Sequence, residues 1–257
     1  MLFQTYSSRE MEHCEEVILL VDGKNQMPCP ESFVQKSEVL TNMCRYSKRS
    51  RDPIPIPLFI TQLILIDLFK LTESKSLQNI SNSGVEYMIQ LTKASDFLDI
   101  QDITRNLLQL IHEKLTIENC FEIFKLTNSI LCLRDITSTS LQLMRTILMQ
   151  FYESKPLSEN NEDPYIDHYQ NMHVSEIQNI LGEKMKYSTI ASIMVIRNWW
   201  KKNTDVTVKD EIFLILKEIN ENASYIPRSK IIFMRMIRDK IIADINLLMN
   251  STKNDHL

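Results

Sequence analysis

Glycine is scarce in this sequence, with 3 glycines among 257 residues. Phosphate-binding loops and dinucleotide folds need several glycines in a short stretch, because their backbone must approach the phosphate closely. Folds built from many β-hairpins also use glycine, since tight turns require positive φ angles. The composition therefore argues against these classes and favours a mostly helical chain.

The cysteines offer no paired framework. There are 5 of them, an odd count, widely spread and without a C-x-x-C spacing. Together with an N-terminus that carries no apolar run, they predict reduced thiols and a cytoplasmic or nuclear protein. The longest apolar stretch, residues 58–71, is too short to span a bilayer and contains Gln62 and Asp67, so we expect no membrane contact.

Signatures of catalysis are also lacking. The 5 histidines show neither an HExxH pattern nor a zinc-like spacing with cysteine, and no G-x-S-x-G or phosphate-loop motif occurs. A net charge of -4 gives no field that would attract nucleic acid, and the basic residues between Arg45 and Arg51 are typical of a solvated loop. We expect no enzyme, no metal, no cofactor and no nucleic-acid partner.

The first third of the chain predicts a small sheet with helices. Val17–Val21 is a short apolar run that ends at Asp22-Gly23, as a strand before a turn does, and a second extended piece follows near Met27. A helical rhythm runs from Phe33 to Met43. In the segment 52–57, alternating prolines forbid a helix but leave isoleucines on one side, which predicts an edge strand.

From residue 85 onward the apolar residues recur at helical spacing. One polar, acidic segment with two prolines, residues 154–173, interrupts the pattern and is interpreted as an exposed loop. Further helices are predicted up to the C-terminal region. For Trp199-Trp200 we favour core packing over an exposed anchor, with one of the two side chains facing the core.

The order of these motifs resembles that of BTB (POZ) proteins with a BACK-like helical half and no kelch repeats. Val17 to Lys24 and then Ser32 to Met43, with Lys36-Ser37 preceding Leu40 and Met43, look like the opening of a BTB domain. Residues 93–100 resemble a helix of the same family. The later segments 115–124 and 190–202 resemble the helix that links BTB to BACK and a BACK helix that closes on tryptophan.

This resemblance implies an α+β BTB domain over residues 15–115, a small sheet with helices, followed by an all-α BACK-like domain over residues 116–250, with a break near 115–130. It implies an adaptor that recruits an unknown target protein to a cullin-type ubiquitin ligase, and a homodimer is common in the family. The cullin contacts that it implies are Met43, Tyr46, Asp96, Phe97, Asn119 and Phe121.

An alternative function stays open, that of a dimeric scaffold or regulator that binds no cullin. The family usually carries a hydrophobic-x-Glu element after its first helix, where this chain has Tyr46-Ser47-Lys48. No additional recognition domain is evident beside the two halves, which also favours the scaffold. A third interpretation, an unrelated all-helical binding protein, requires that residues 17–57 form no sheet.

Overall fold

The structure, a computed structural model, describes residues 17–47, 52–74, 76–154, 163–186, 189–203, 209–221 and 228–254. In these ranges the chain is mostly helical, with a three-stranded sheet near its start. Six helices belong to the first part of the chain: α1 (Glu31–Lys36), α2 (Glu38–Ser47), α3 (Gln62–Ser74), α4 (Gln78–Ser81), α5 (Val85–Phe97) and α6 (Gln101–Lys114). Seven more helices follow: α7 (Cys120–Thr127), α8 (Arg134–Ser154), α9 (Ile166–Tyr169), α10 (Val174–Lys186), α11 (Thr189–Trp200), α12 (Lys209–Glu221) and α13 (Arg228–Asn254). A short 3₁₀ turn, Leu131–Leu133, lies between α7 and α8.

The sheet has the order β2-β1-β3. β1 (Val17–Val21) pairs antiparallel with β2 (Asn25–Cys29) and parallel with β3 (Ile54–Pro55). In the turn between β1 and β2, Asp22 has φ 53° and Gly23 has φ 71°. Positive φ angles at these positions match the right-handed twist of the two strands in a tight hairpin. The predicted strand and turn are therefore confirmed.

The proline-rich segment forms an edge strand, as the sequence predicts. Ile54 and Ile56 are both buried, whereas Pro55 between them is exposed. Ile56 N donates a hydrogen bond to Leu20 O over 3.0 Å. The bond to β1 is thus made by an isoleucine, which has the backbone N–H that the neighbouring prolines lack. A proline is tolerated at an edge because its missing donor would face away from the sheet.

The chain divides into two compact units. The described residues up to Lys114, together with Leu126–Ile136, form unit 1, and Leu115–Lys125 joins the residues from Thr137 onward in unit 2. The first change of unit thus falls between Lys114 and Leu115, and the chain returns briefly to unit 1 before entering unit 2 along α8.

A buried serine separates α1 from α2 in unit 1. Ser37 has φ -98° and ψ 112°, which ends α1, and its Oγ accepts a hydrogen bond from Leu40 N over 3.1 Å, which caps α2. The same hydroxyl donates to Leu98 O over 2.5 Å, at the end of α5. Ser37 and Leu98 are both fully buried, so this bond fixes α2 to the end of α5 within the core.

The end of α5 is shaped by backbone bonds around Asp99. Ile100 N donates to Ser95 O over 2.9 Å and Asp99 N donates to Asp96 O over 3.0 Å, while Asp99 takes the left-handed conformation at φ 52°. This arrangement closes many helices and uses the last carbonyl groups that the helix leaves unpaired. It lets the chain reverse into α6 within a few residues.

Unit 2 has a continuous apolar core around α11, in which residues 190–200 are all buried. A carboxylate, Asp163, is buried beside this core and accepts hydrogen bonds from the hydroxyl groups of Tyr152 and Tyr169 and from Tyr165 N over 2.8 Å. Burial raises the pKa of both tyrosines. These neutral donors supply the hydrogen bonds that a buried carboxylate needs.

The expectation of an exposed loop over residues 154–173 is wrong for its second half. Residues 155–162 lie outside the described part of the chain, but Asp163 and Tyr169 are buried and Ile166–Tyr169 is helical. Polarity misled the prediction, because the carboxylate is buried with hydrogen bonds from Tyr152 and Tyr169, which the polar composition of the segment does not reveal.

Both tryptophans lie in the core, although helical spacing predicts that only one of them faces it, and their indole N–H groups differ. Trp199 Nε1 donates to Met172 O over 2.9 Å. Trp200 Nε1 is buried without a hydrogen-bond partner among the described residues. An unsatisfied buried donor costs about 1–3 kcal/mol, so α11 carries one stabilising and one destabilising polar group side by side.

Replacing Ser37 by alanine should weaken the junction between α2 and α5. The change removes a cap and leaves Leu98 O without this donor, so we expect a loss of about 2 kcal/mol of local stability. Hydrogen exchange of the α2 and α5 amides measures it. Ser74→Ala, which removes an exposed hydroxyl at the end of α3, is the matched control and should change exchange there by less than about 0.5 kcal/mol. Equal effects of the two changes would contradict the role given to Ser37.

The tryptophans allow a matched comparison in unit 2. Trp199→Phe and Trp200→Phe remove the same atoms from buried positions, so their difference in unfolding free energy isolates the hydrogen bond. We expect Trp199→Phe to be less stable than Trp200→Phe by about 1–3 kcal/mol, since it leaves Met172 O unpaired. Denaturant unfolding, followed by the fluorescence of the remaining tryptophan, gives both values. Trp200→Phe as the less stable variant would show that its indole N–H is in fact satisfied.

Candidate docking surface

A turn after β3 places two apolar side chains in solvent. Ile60 is fully buried, and its N–H closes the turn on Pro57 O over 2.9 Å, while Thr61 Oγ1 accepts a bond from Ile64 N at the start of α3. With Ile60 fixed inside, the two preceding residues point outward: Leu58 is 75% exposed and Phe59 is 38% exposed. The turn therefore leaves the apolar side chains of Leu58 and Phe59 exposed to solvent.

The end of α5 contributes the second part of this surface. Its inner face buries Ala94 and Ser95, and the buried Leu98 ends the helix. Lys93, Asp96 and Phe97, spaced by three and four residues, share the outer face, where Phe97 is 38% exposed.

The two exposed phenylalanines are in contact. Their ring centroids lie 5.7 Å apart with an interplanar angle of 90°, which is the favourable edge-to-face arrangement. Lys93 Nζ lies over the Phe59 ring, 4.4 Å from its centroid, so the pair of rings also carries a cation–π contact. Such a contact contributes about 0.5–1 kcal/mol at an exposed site and orders both side chains.

The 3₁₀ turn lies beside the end of α5. The Cys132 thiol lies near the Asp96 carboxylate, whose negative charge raises the thiol pKa, and the preceding residue, Leu131, is 85% exposed. Leu63, on the first turn of α3, is also exposed. We call this surface the Phe59–Phe97 patch; it consists of Leu58, Phe59, Leu63, Lys93, Asp96, Phe97, Leu131 and Cys132.

Two of the six residues that the sequence singled out, Asp96 and Phe97, lie in this patch. Met43 is half-buried on α2, and Tyr46 lies in the last turn of the same helix with its side chain outside the described residues. The other two residues belong to unit 2.

Those two residues have internal partners. Asn119 Oδ1 accepts a hydrogen bond from Thr116 N over 2.8 Å, within the turn that precedes α7. The Phe121 ring is only 2% exposed and stacks against Tyr165 and His168, with centroid distances of 5.7 and 5.1 Å. Since Phe121 packs in the core of unit 2, we leave it out of the proposed docking surface.

Sequence reasoning missed Phe59, Lys93 and the 3₁₀ turn. One signal was available, because Leu58-Phe59 directly follows a proline and precedes a helix, where turn residues are usually polar. The contact of Lys93 with Phe59 joins residues far apart in the sequence and leaves no local pattern.

No chemistry beyond binding is evident in this patch. Burial first, and then the negative charge of Asp96, raise the pKa of the Cys132 thiol from its ordinary 9.0 to about 11, which keeps it protonated and unreactive at neutral pH. Among the described residues no group of three His, Cys, Asp or Glu side chains could hold a metal ion. None of the described helices is long and apolar enough to cross a membrane.

Comparison of the sequence with protein-family models and with curated proteins finds no match.

The pKa of Cys132 should respond to its charged neighbours in opposite directions. Asp96→Asn removes a negative charge that opposes the thiolate, so alkylation of Cys132 by iodoacetamide should begin at lower pH. Lys93→Met removes the cation that lowers the same pKa, so alkylation should begin at higher pH. Mass spectrometry of the Cys132 peptide between about pH 7 and 11 measures both profiles. Identical profiles in the three proteins would show that Cys132 does not contact this pair.

Proposed function

We propose that this chain is a non-catalytic protein-interaction adaptor whose Phe59–Phe97 patch binds a cullin-family scaffold. The observation that carries the proposal is the exposed, mutually oriented pair of Phe59 and Phe97 in unit 1. Exposed aromatic side chains at the centre of an apolar patch are typical hot spots of protein interfaces, where one side chain contributes 2 kcal/mol or more.

The resemblance to BTB proteins supports the choice of partner. It rests on the order of motifs over roughly residues 15–245, and it singled out Asp96 and Phe97 for their place in that order alone. The three-stranded sheet with a parallel third strand agrees with the small sheet that this resemblance implies.

The charges in the patch suggest what the partner must present. Lys93 lies over the Phe59 ring, and the two rings pack edge to face, so the side chains at the apolar centre are already ordered. A partner helix that places apolar side chains on the rings and a carboxylate near Lys93 would fit, since the ammonium group keeps solvent-facing donors. Ordered side chains lose little entropy on binding, which favours affinity.

An adaptor of this kind makes no bond itself. It holds a target close to the catalytic component of a ligase, and proximity alone raises the effective concentration of the target. The proposed function therefore requires a docking surface on a rigid element. It requires neither a nucleophile nor a metal.

A binding assay against a panel of cullin N-terminal domains tests this proposal. We expect the purified chain to bind at least one of them, and Phe97→Ala and Phe59→Ala each to weaken binding by about tenfold or more, because each removes an exposed anchor. Leu214→Ala, which shortens an exposed aliphatic side chain on α12 of unit 2, is the control and should bind like the unaltered chain.

The outcomes separate the candidate functions. Binding that survives both phenylalanine changes would place the cullin contact elsewhere on the chain. Absence of binding to every cullin, from a chain that circular dichroism shows to be folded, would rule out the adaptor role. Sedimentation that then shows a dimer would favour the scaffold that binds no cullin.

A further inference from the structure

A second candidate site lies in unit 1, in a cavity that shares no residue with the Phe59–Phe97 patch. Its volume is about 770 Å³, within the range of pockets that hold small molecules and short peptides. Its walls come from α2, from the ends of α1 and α3, from Leu77, and from the turn and first two helical turns of α6.

Hydrogen bonds hold these walls in place. Lys36 Nζ, at the end of α1, donates to Thr72 O over 2.6 Å, near the end of α3. Ser37 Oγ joins α2 to Leu98 O, next to the turn that begins the α6 wall. Thr41 Oγ1 donates to Val34 O over 2.8 Å and ties α2 to α1. The cavity is therefore preformed, and a ligand would not have to organise it.

The lining favours a ligand that carries both signs of charge. Three cationic and three carboxylate side chains line the cavity, so it has no net charge that would select a polyanion such as a nucleotide or a polycation. The cations are Lys36, Arg45 and Arg105, and the carboxylates are Glu38, Asp99 and Asp102.

The remaining lining groups resemble those that bind peptide backbone. Four carboxamide side chains line the cavity, and each offers both a donor and an acceptor, as a peptide group requires. Below them the buried Leu71, Ile100 and Ile103 form an apolar floor. The carboxamides are Gln35, Asn42, Gln101 and Asn106.

The helical spacing makes the polar lining continuous. Glu38, Thr41, Asn42 and Arg45 follow each other at intervals of three, one and three residues and so form one face of α2. A face of this kind offers acid, amide and base in sequence over about two turns of helix.

From this combination we propose that the cavity binds a short peptide segment of a partner protein, with acidic and basic side chains on either side of apolar ones. The amides of the cavity hydrogen-bond the peptide backbone, the floor takes its apolar side chains, and the rim charges pair with its charged ones. This site does not depend on the Phe59–Phe97 patch, so it would provide a place for a target protein whether or not a cullin binds there.

Selection from a displayed random dodecapeptide library against the full chain tests the proposal. We expect enrichment of sequences with both signs of charge around an apolar centre, and micromolar binding of a synthetic, fluorescein-labelled copy by anisotropy. Asn106→Trp and Asn42→Trp each place an indole in the cavity and should weaken this binding by about tenfold or more. Asn82→Trp, at an exposed asparagine of unit 1 that does not line the cavity, should leave it unchanged.

Three results would overturn the inference. One is the absence of any enriched sequence with the full chain. Another is binding that the two cavity variants leave unchanged while circular dichroism shows them to be folded. The last is binding that Phe97→Ala abolishes and the cavity variants do not, which would assign the peptide to the Phe59–Phe97 patch. Because Phe97→Ala leaves the cavity intact, failure of cullin binding and failure of peptide binding are measured separately.

Discussion

The hydrogen bond from Ser37 to Leu98 is the constraint on which both surfaces of unit 1 depend. It fixes the start of α2 to the end of α5, in a place from which water is excluded. Phe97, immediately before Leu98, belongs to the Phe59–Phe97 patch, and Asp99, immediately after it, lines the cavity. One buried hydroxyl therefore positions the two sites, and a buried hydroxyl that makes both its bonds costs little to keep there.

Both phenylalanines of the patch are exposed for the same physical reason. Each directly precedes a fully buried aliphatic residue, Ile60 or Leu98, at a place where the backbone turns. Ile60 takes the buried position in its turn and leaves Phe59 outside, and Leu98 takes the buried position at the end of α5 and leaves Phe97 on the outer face of the helix. The exposed area is thus a consequence of two well-packed turns. Removing it by mutation should affect binding more than folding, since an exposed ring contributes little burial to the folded state.

Much of the fold could be predicted from local sequence patterns, and most of the candidate site could not. Val17–Val21 with Asp22-Gly23 predicts a hairpin by itself, and alternating isoleucines and prolines predict the edge strand. Phe121 and Phe97, in contrast, are equally apolar in the sequence, and only packing distinguishes the buried ring from the exposed one. Asp163 was expected in solvent because it stands in a polar, acidic segment, and composition carries no trace of the hydrogen bonds that Tyr152 and Tyr169 donate to it.

The two candidate sites of unit 1 differ in chemistry, which bears on how the chain could act. The Phe59–Phe97 patch has two exposed phenylalanine rings at its centre, which a partner surface can cover. The cavity is lined by equal numbers of cationic and carboxylate side chains, by carboxamides and by an apolar floor. Two sites with such different requirements would not compete for one partner, so a chain that uses both could hold two proteins at once. Both sites lie on elements held by buried bonds, and such rigidity keeps two bound partners at a fixed separation. The effective concentration of one bound partner near the other depends on that separation. It is high when the chain holds the two partners within reach of each other, and it falls when the chain holds them too far apart.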